Sequence, residues 1–181
     1  MHIVKCGFTG HFHIIGIDPG NIQSAISVFE GTNNLIQETF IDQNDNILGW
    51  ILNESYKLKP CAFAIEKIAS YGMPVGETVF ETVYWSGRFH QLIREEQRHA
   101  DIYRITRNKV KNHICHSSRA KDSNIRQSLI DRFGAPGTKK TPGKTYGIKK
   151  DMWAALAVAV TCFDLMINDS KDTHKYIVNN T

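Results

Sequence analysis

The 181-residue chain has few cysteines and no long hydrophobic run. Its four cysteines stand far apart, without the spacing of a disulfide framework or a zinc finger, which favours a reducing compartment. The longest apolar run, residues 152–163, is too short to span a bilayer. The N-terminus also lacks the charged region and apolar stretch of a signal peptide. We therefore expect a soluble, intracellular protein of a bacterial or host cytoplasm, with no membrane partner.

Acidic residues are missing from two basic stretches of the chain. Residues 102–121 contain six lysines and arginines, and residues 134–150 contain five lysines. Either stretch alone could be an ordinary solvated face. Beside a cluster of carboxylates, the two together favour a polyanion partner, because each Lys or Arg that meets a phosphate releases counterions.

Three acidic residues stand at the ends of apolar segments, where a charge is unusual. Asp18 follows His-Ile-Ile-Gly-Ile at a Pro-Gly turn, Glu66 follows Cys-Ala-Phe-Ala-Ile, and Asp151 precedes the longest apolar run. A buried strand has little reason to end in a carboxylate unless that charge has a function. Three carboxylates attached to core elements are the ligands that a divalent-metal phosphodiesterase site would need.

The order of the predicted elements indicates an α/β protein. Strand-like segments bounded by turn residues cover 13–18, 24–30, 35–41, 61–66 and 101–105. Helical segments cover 45–58, 77–98, 108–115, 122–133 and 150–168, with a loop over 134–147. Right-handed crossovers would place the fourth and fifth strands beside the first. The result is a mixed five-stranded sheet of order 3-2-1-4-5 with helices on both faces, which brings Asp18 and Glu66 to one edge.

The chain shows no internal repeat and no linker between domains. We interpret residues 1–12 as an N-terminal extension, residues 13–168 as one domain, and residues 169–181 as a polar C-terminal tail.

Three motifs together resemble the RuvC-type Holliday-junction resolvases of the ribonuclease H-like superfamily. They are Ile-Gly-Ile-Asp18-Pro-Gly, Ala-Ile-Glu66 and Asp151-Met-Trp-Ala-Ala-Leu-Ala-Val-Ala, in the family's order and with similar spacing. The resemblance runs from about residue 13 to residue 166 and is that of a divergent, phage-like member. It implies a ribonuclease H-like fold and a homodimeric endonuclease that uses Mg²⁺ or Mn²⁺, two ions per site, to cut four-way or other branched DNA.

The resemblance also implies roles for the acidic residues. Asp18 would bridge the two ions, Glu66 would bind one of them, and Asp151 would bind the other. Where the family carries a fourth acid, this chain has Ala154. A fourth ligand is therefore missing or comes from elsewhere, with Asp122 as the nearest candidate. Asp122 also fits the alternative of an N-cap residue of the helix that follows it. Asp151 fits a similar alternative, because acids favour helix N-termini.

Several basic residues and one tyrosine are predicted to contact DNA. The family carries lysines near the cleaved strand, and Lys111 and Lys121 resemble them; Lys121 would also be catalytic by offsetting charge on the phosphate. Lys111 and Lys121 could equally be ordinary surface lysines, and the alternative of an ordinary loop residue is favoured for Tyr71. The resemblance further places the dimer seam on the helix around residues 79–92. The predicted DNA-binding residues are Arg107, Lys109, Lys111, Lys121, Tyr71, Lys149 and Lys150.

Three alternative functions stay open at this point. A nuclease of the same fold could act on RNA–DNA hybrids or structured RNA. Actin-like and sugar-kinase ATPases also place Gly-Ile-Asp-x-Gly after their first strand, but this chain is short for them and has no second glycine-rich phosphate loop. A catalytically inactive nucleic-acid-binding module would explain the missing fourth acid, although the retention of three carboxylates argues against it.

Overall fold

The computed structural model describes residues 12–70, 72 and 74–178, with side chains described as far as residue 168. Its strands are β1 (His13–Asp18), β2 (Gln23–Glu30), β3 (Leu35–Gln43), β4 (Ala62–Lys67) and β5 (Asp101–Thr106). Its helices are α1 (Asn44–Asn53), α2 (Glu77–Glu96), α3 (Arg107–Cys115), α4 (Asp122–Phe133) and α5 (Met152–Val178). A short 3₁₀ turn, Ser55–Leu58, follows α1.

The strands form one mixed sheet in the order β3-β2-β1-β4-β5, which confirms the predicted topology. β2 pairs antiparallel with β1 and with β3, whereas β4 runs parallel to β1 and β5 runs parallel to β4. Antiparallel neighbours need only short turns, but parallel neighbours need crossovers, which contain α1 and α2. The carboxyl ends of β1, β4 and β5 therefore meet at the same edge of the sheet.

The two faces of the sheet are covered by different helices. Ile17 of β1 and Ile65 of β4 pack in the core formed with α1 and α2. Ala64 of β4 packs in the core formed with α3, α4 and α5. Because neighbouring side chains of a strand point to opposite faces, Asp18 and Glu66 lie on the face that α5 covers.

Helix α5 approaches β1 closely because Gly16 has no side chain. A Cβ atom at Gly16 would overlap the carbonyl oxygen of Ala155 and lie 2.9 Å from Cβ of Ala159. Asp151 precedes Ala155 by about one helical turn. The glycine contact therefore places the start of α5, and Asp151 with it, next to the end of β1.

Two predicted helix ends are wrong by five residues or more, whereas the other helix boundaries lie within two residues of the observed ones. The helix expected over 45–58 ends at Asn53 and continues only as the 3₁₀ turn. The last helix continues past residue 168 to Val178, so the expected polar tail is helical over residues 169–178. The prediction stopped at residue 168 because residues 169–175 are polar and carry no hydrophobic periodicity. None of the helices in the described part of the chain is long and apolar enough to cross a membrane. The predicted extension, apart from Phe12, lies outside the described residues.

Candidate active site

A cavity of about 300 Å³ lies at the carboxyl ends of β1 and β4. Asp18 from β1, Glu66 from β4 and Asp151 from the start of α5 all line it, although they are far apart along the chain. Asp122, the first residue of α4, lines it as well. The structure thus brings the three predicted carboxylates, and the candidate fourth, to one place.

The pKa values of the two strand carboxylates show that negative charge is unfavourable in this cavity. Burial, together with the charges of Glu66 and Asp151, raises the pKa of Asp18 to about 8. Burial also raises the pKa of Glu66, although the nearby guanidinium of Arg107 opposes this shift. Ionising all these groups together is costly unless a cation accompanies them.

Arg107 supplies one such cation by pairing with two carboxylates at once. Its Nη1 donates to Oε2 of Glu66 at 3.0 Å, and its Nη2 donates to Oδ1 of Asp122 at 2.7 Å. Arg107 begins α3 directly after β5, and β5 runs parallel to β4 with Ile105 opposite Glu66. The planar fork of a guanidinium can reach two acceptors in this way, which a lysine ammonium cannot match.

The N-cap interpretation of Asp122 is wrong. Lys121 occupies the N-cap position of α4, and its backbone N–H donates to Oδ1 of Asn124 at 2.8 Å. The carboxylate of Asp122 instead accepts from Arg107 and lines the cavity. Its role as a metal ligand stays a prediction.

The donor set of the cavity fits a divalent metal ion in its chemistry. Carboxylate oxygens are the preferred ligands of hard cations such as Mg²⁺ and Mn²⁺. A cation here would also relieve the repulsion that raises the pKa of Asp18. Among the described residues, however, no three carboxylate, imidazole or thiol side chains are already arranged to hold one ion. The carboxylates therefore have to reorient before they can act together as ligands.

Two of the predicted DNA-binding lysines lie near the carboxylates. Lys150 lines the cavity and has a left-handed backbone conformation, with φ of 48°, directly before Asp151. The charge of Lys111 on α3 helps to lower the pKa of Glu66, against the dominant effect of burial. Both lysines therefore contribute positive charge in or near the cavity.

The other predicted contacts are placed differently. Lys109, Lys121 and Lys149 are exposed on the surface, which suits contact with a backbone phosphate. Their roles, including the catalytic role of Lys121, stay predictions. Tyr71 lies outside the described residues.

Sequence reasoning missed two features of the cavity. The first is the double ion pair of Arg107, which was predicted only as a DNA contact; its position directly after the strand beside β4 was the available signal. The second is the apolar wall formed by Ile125 and Trp153. The guanidinium of Arg126 lies 5.4 Å from the centre of the Trp153 ring, a distance that allows a cation–π contact.

Comparison with known proteins gives matches only among solved structures. No protein-family model and no curated protein matches the chain. The structure of Thermus thermophilus RuvC matches with a TM-score of 0.67 and 17% identity, covering 87% of this chain and 97% of that one. The same protein in complex with a Holliday junction substrate matches with a TM-score of 0.66, at the same identity and coverage.

A third similar structure is the yeast mitochondrial Holliday junction resolvase, Ydc2. It matches with a TM-score of 0.62 and 10% identity, covering 96% of this chain and 90% of that one. With the sheet order and the helices on both faces, these matches confirm the fold that the motifs predicted. The chain therefore has the RuvC-type, ribonuclease H-like fold.

Proposed function

We propose that this protein is a metal-dependent endonuclease that hydrolyses phosphodiester bonds in Holliday junctions or other branched DNA. The observation that carries the proposal is the convergence of Asp18, Glu66 and Asp151 on one cavity at the sheet edge. The shared fold supports it, because one of the similar structures is RuvC in complex with a Holliday junction substrate.

The three carboxylates would hold Mg²⁺ or Mn²⁺, with two ions in the full arrangement. Such ions, when bound, activate a water molecule and stabilise the leaving oxygen. Asp18 would be shared between the two positions, with Glu66 at one and Asp151 at the other. Gly16 supports this arrangement by letting the start of α5 lie against β1.

The basic residues around the cavity would bind and orient the DNA backbone. Lys150 inside the cavity and Lys111 beside it would contact the phosphates nearest the cleaved bond. The exposed Lys109, Lys121 and Lys149 would extend this contact along the strand, with Lys121 offsetting charge on the reacting phosphate. Binding of this kind weakens steeply with salt and carries little sequence information.

Helix α2 supports the proposal of a homodimer. Phe80, Val83 and Tyr84 are 63%, 46% and 60% exposed, and they lie on one face of the helix at spacings of three and four residues. Gly87 continues this face one turn later, where a Cβ atom would meet nothing within 4 Å. An exposed apolar stripe of this kind suits packing against a second copy, which would present two active sites to two strands. We place this activity inside the cell, where branched DNA arises.

The experiment compares three substrates under the same set of metal conditions. Purified protein is incubated with a four-way junction, a flapped duplex and an RNA–DNA hybrid of matched length, each with Mg²⁺, with Mn²⁺ or with EDTA. We expect nicking of the branched DNA that requires the metal and is fastest on the junction. Faster cutting of the hybrid would favour the ribonuclease alternative. Binding without cutting under all metal conditions would favour the inactive module.

A further inference from the structure

Arg107 and a metal ion would compete for the same carboxylate. Glu66 is only 8% exposed, and its Oε2 accepts the hydrogen bond from Arg107 at 3.0 Å. The side chain of Arg107 lines the cavity and is 25% exposed, so it is largely covered by its neighbours. A divalent cation bound to Glu66 would stand next to this guanidinium and be repelled by it.

Asp122 gives the guanidinium a second anchor at the rim. Its side chain is 77% exposed, and its Oδ1 accepts from Nη2 of Arg107 at 2.7 Å. If the bond to Glu66 breaks, Arg107 can keep its pair with Asp122 and stay at the mouth of the cavity. A guanidinium in that position presents its free N–H groups to an incoming phosphate, for which its fork is well suited.

We propose that Arg107 is a positioning residue that holds Glu66 through their ion pair in the metal-free protein and releases it when a cation binds. We call this ion pair between Arg107 and Glu66 the latch. The proposal rests on the metal-dependent function proposed above. It accounts for the observation that the described carboxylates share a cavity without being arranged as a ready-made metal site. In the released state, Glu66 faces the cation, and Arg107 stays with Asp122 or moves to a backbone phosphate.

The direct test measures metal binding in the absence of DNA. Mn²⁺ is titrated calorimetrically into the wild-type protein and into Arg107→Gln. We expect the variant to bind Mn²⁺ about tenfold more tightly, because the ion no longer displaces a guanidinium from Glu66. Arg107→Lys should lie between the two, since an ammonium retains the charge but lacks the fork that holds both carboxylates.

A matched control removes an arginine ion pair elsewhere in the fold. Arg132 pairs with Asp164 through two N–H groups, at 2.7 and 3.0 Å, and neither residue lines the cavity. Arg132→Gln should leave the affinity for Mn²⁺ unchanged. Thermal unfolding in EDTA checks that each variant is folded. If Arg107→Gln does not fold, the affinity of Arg107→Lys for Mn²⁺ is compared with that of the wild-type protein instead.

A second measurement separates a latch from a merely structural residue. In nicking of a four-way junction, Arg107→Gln should need less Mg²⁺ for half-maximal rate. Its rate at saturating Mg²⁺ should fall, because the phosphate loses a guanidinium contact. A structural defect alone would not lower the Mg²⁺ requirement.

The outcomes distinguish failure of the latch from failure of the nuclease. If the wild-type protein nicks the junction but Arg107→Gln, or its Lys substitute, binds Mn²⁺ no more tightly, the latch is overturned and the nuclease stands. If the wild-type protein neither binds Mn²⁺ nor nicks the junction, the proposed function itself is wrong.

Discussion

Substitution of Gly16 tests how the fold positions Asp151. In Gly16→Ala the new methyl group would overlap the carbonyl oxygen of Ala155 and lie 2.9 Å from Cβ of Ala159. Helix backbone cannot rotate away as a side chain can, so α5 has to move outward. Overpacking of this kind costs about 1–3 kcal/mol. For a chain of this size, this corresponds to a melting temperature lower by roughly 2–12 °C.

The effect on activity should exceed the effect on stability. Asp151 lies about one turn before the contact, so an outward shift of α5 moves it away from Asp18. A displacement of about 1 Å in a catalytic group can cost on the order of 100-fold in rate. Metal-dependent nicking of a four-way junction, measured well below the melting temperature, should therefore fall by about that factor.

Gly49→Ala is the matched control for this experiment. Gly49 lies inside α1, and a Cβ atom there would meet nothing within 4 Å. The same chemical change should therefore be neutral or stabilising by roughly 0.5–1 kcal/mol, without loss of nicking. If Gly16→Ala were as stable and as active as Gly49→Ala, the close packing of α5 on β1 would not position the site.

Three further predictions concern charge and assembly. Because the pKa of Asp18 is raised to about 8, the folded protein in EDTA retains a proton that the unfolded chain releases above about pH 4. The free energy of unfolding should therefore decrease as the pH rises from about 4 to about 8. In Asp18→Asn, thermal unfolding should show a weaker dependence on pH over this range. Asp164→Asn should lower stability at pH 7 by roughly 1–3 kcal/mol in denaturant unfolding, because it breaks the pair with Arg132, but should leave Mn²⁺ binding intact. Val83→Glu should shift sedimentation toward monomer, whereas Leu52→Glu, at an exposed apolar residue of α1, should not.

The topology was predictable because its signals are local. The Pro-Gly after Asp18 marks the end of β1, and the observed strand His13–Asp18 has the predicted bounds. Handedness of the crossovers then leaves one simple order for the parallel strands, which the structure confirms. The alternation of side chains along β1 and β4 puts Asp18 and Glu66 on one face, so their convergence also follows from the sequence.

The side-chain contacts in the cavity depend on tertiary packing, which no local sequence pattern predicts. Arg107 could have extended to solvent or to DNA, and its bonds to Glu66 and Asp122 depend on how α3 and α4 are placed by packing. The predicted start of α4 at residue 122 is the observed one, but the sequence does not show that Lys121 takes the N-cap position while Asp122 accepts from Arg107. The extent of α5 beyond residue 168 was missed for a related reason, since residues 169–175 are all polar and carry no hydrophobic periodicity.

The central claim is that acids from three separate elements act together on a phosphodiester bond. The most direct test compares the wild-type protein with Asp18→Asn on a four-way junction in Mg²⁺, with junction binding measured in parallel. We expect both proteins to bind the junction, and the substitution to slow nicking by roughly a thousandfold or more. Nicking by Asp18→Asn at close to the wild-type rate, or equal nicking by the wild-type protein in EDTA, would contradict the claim.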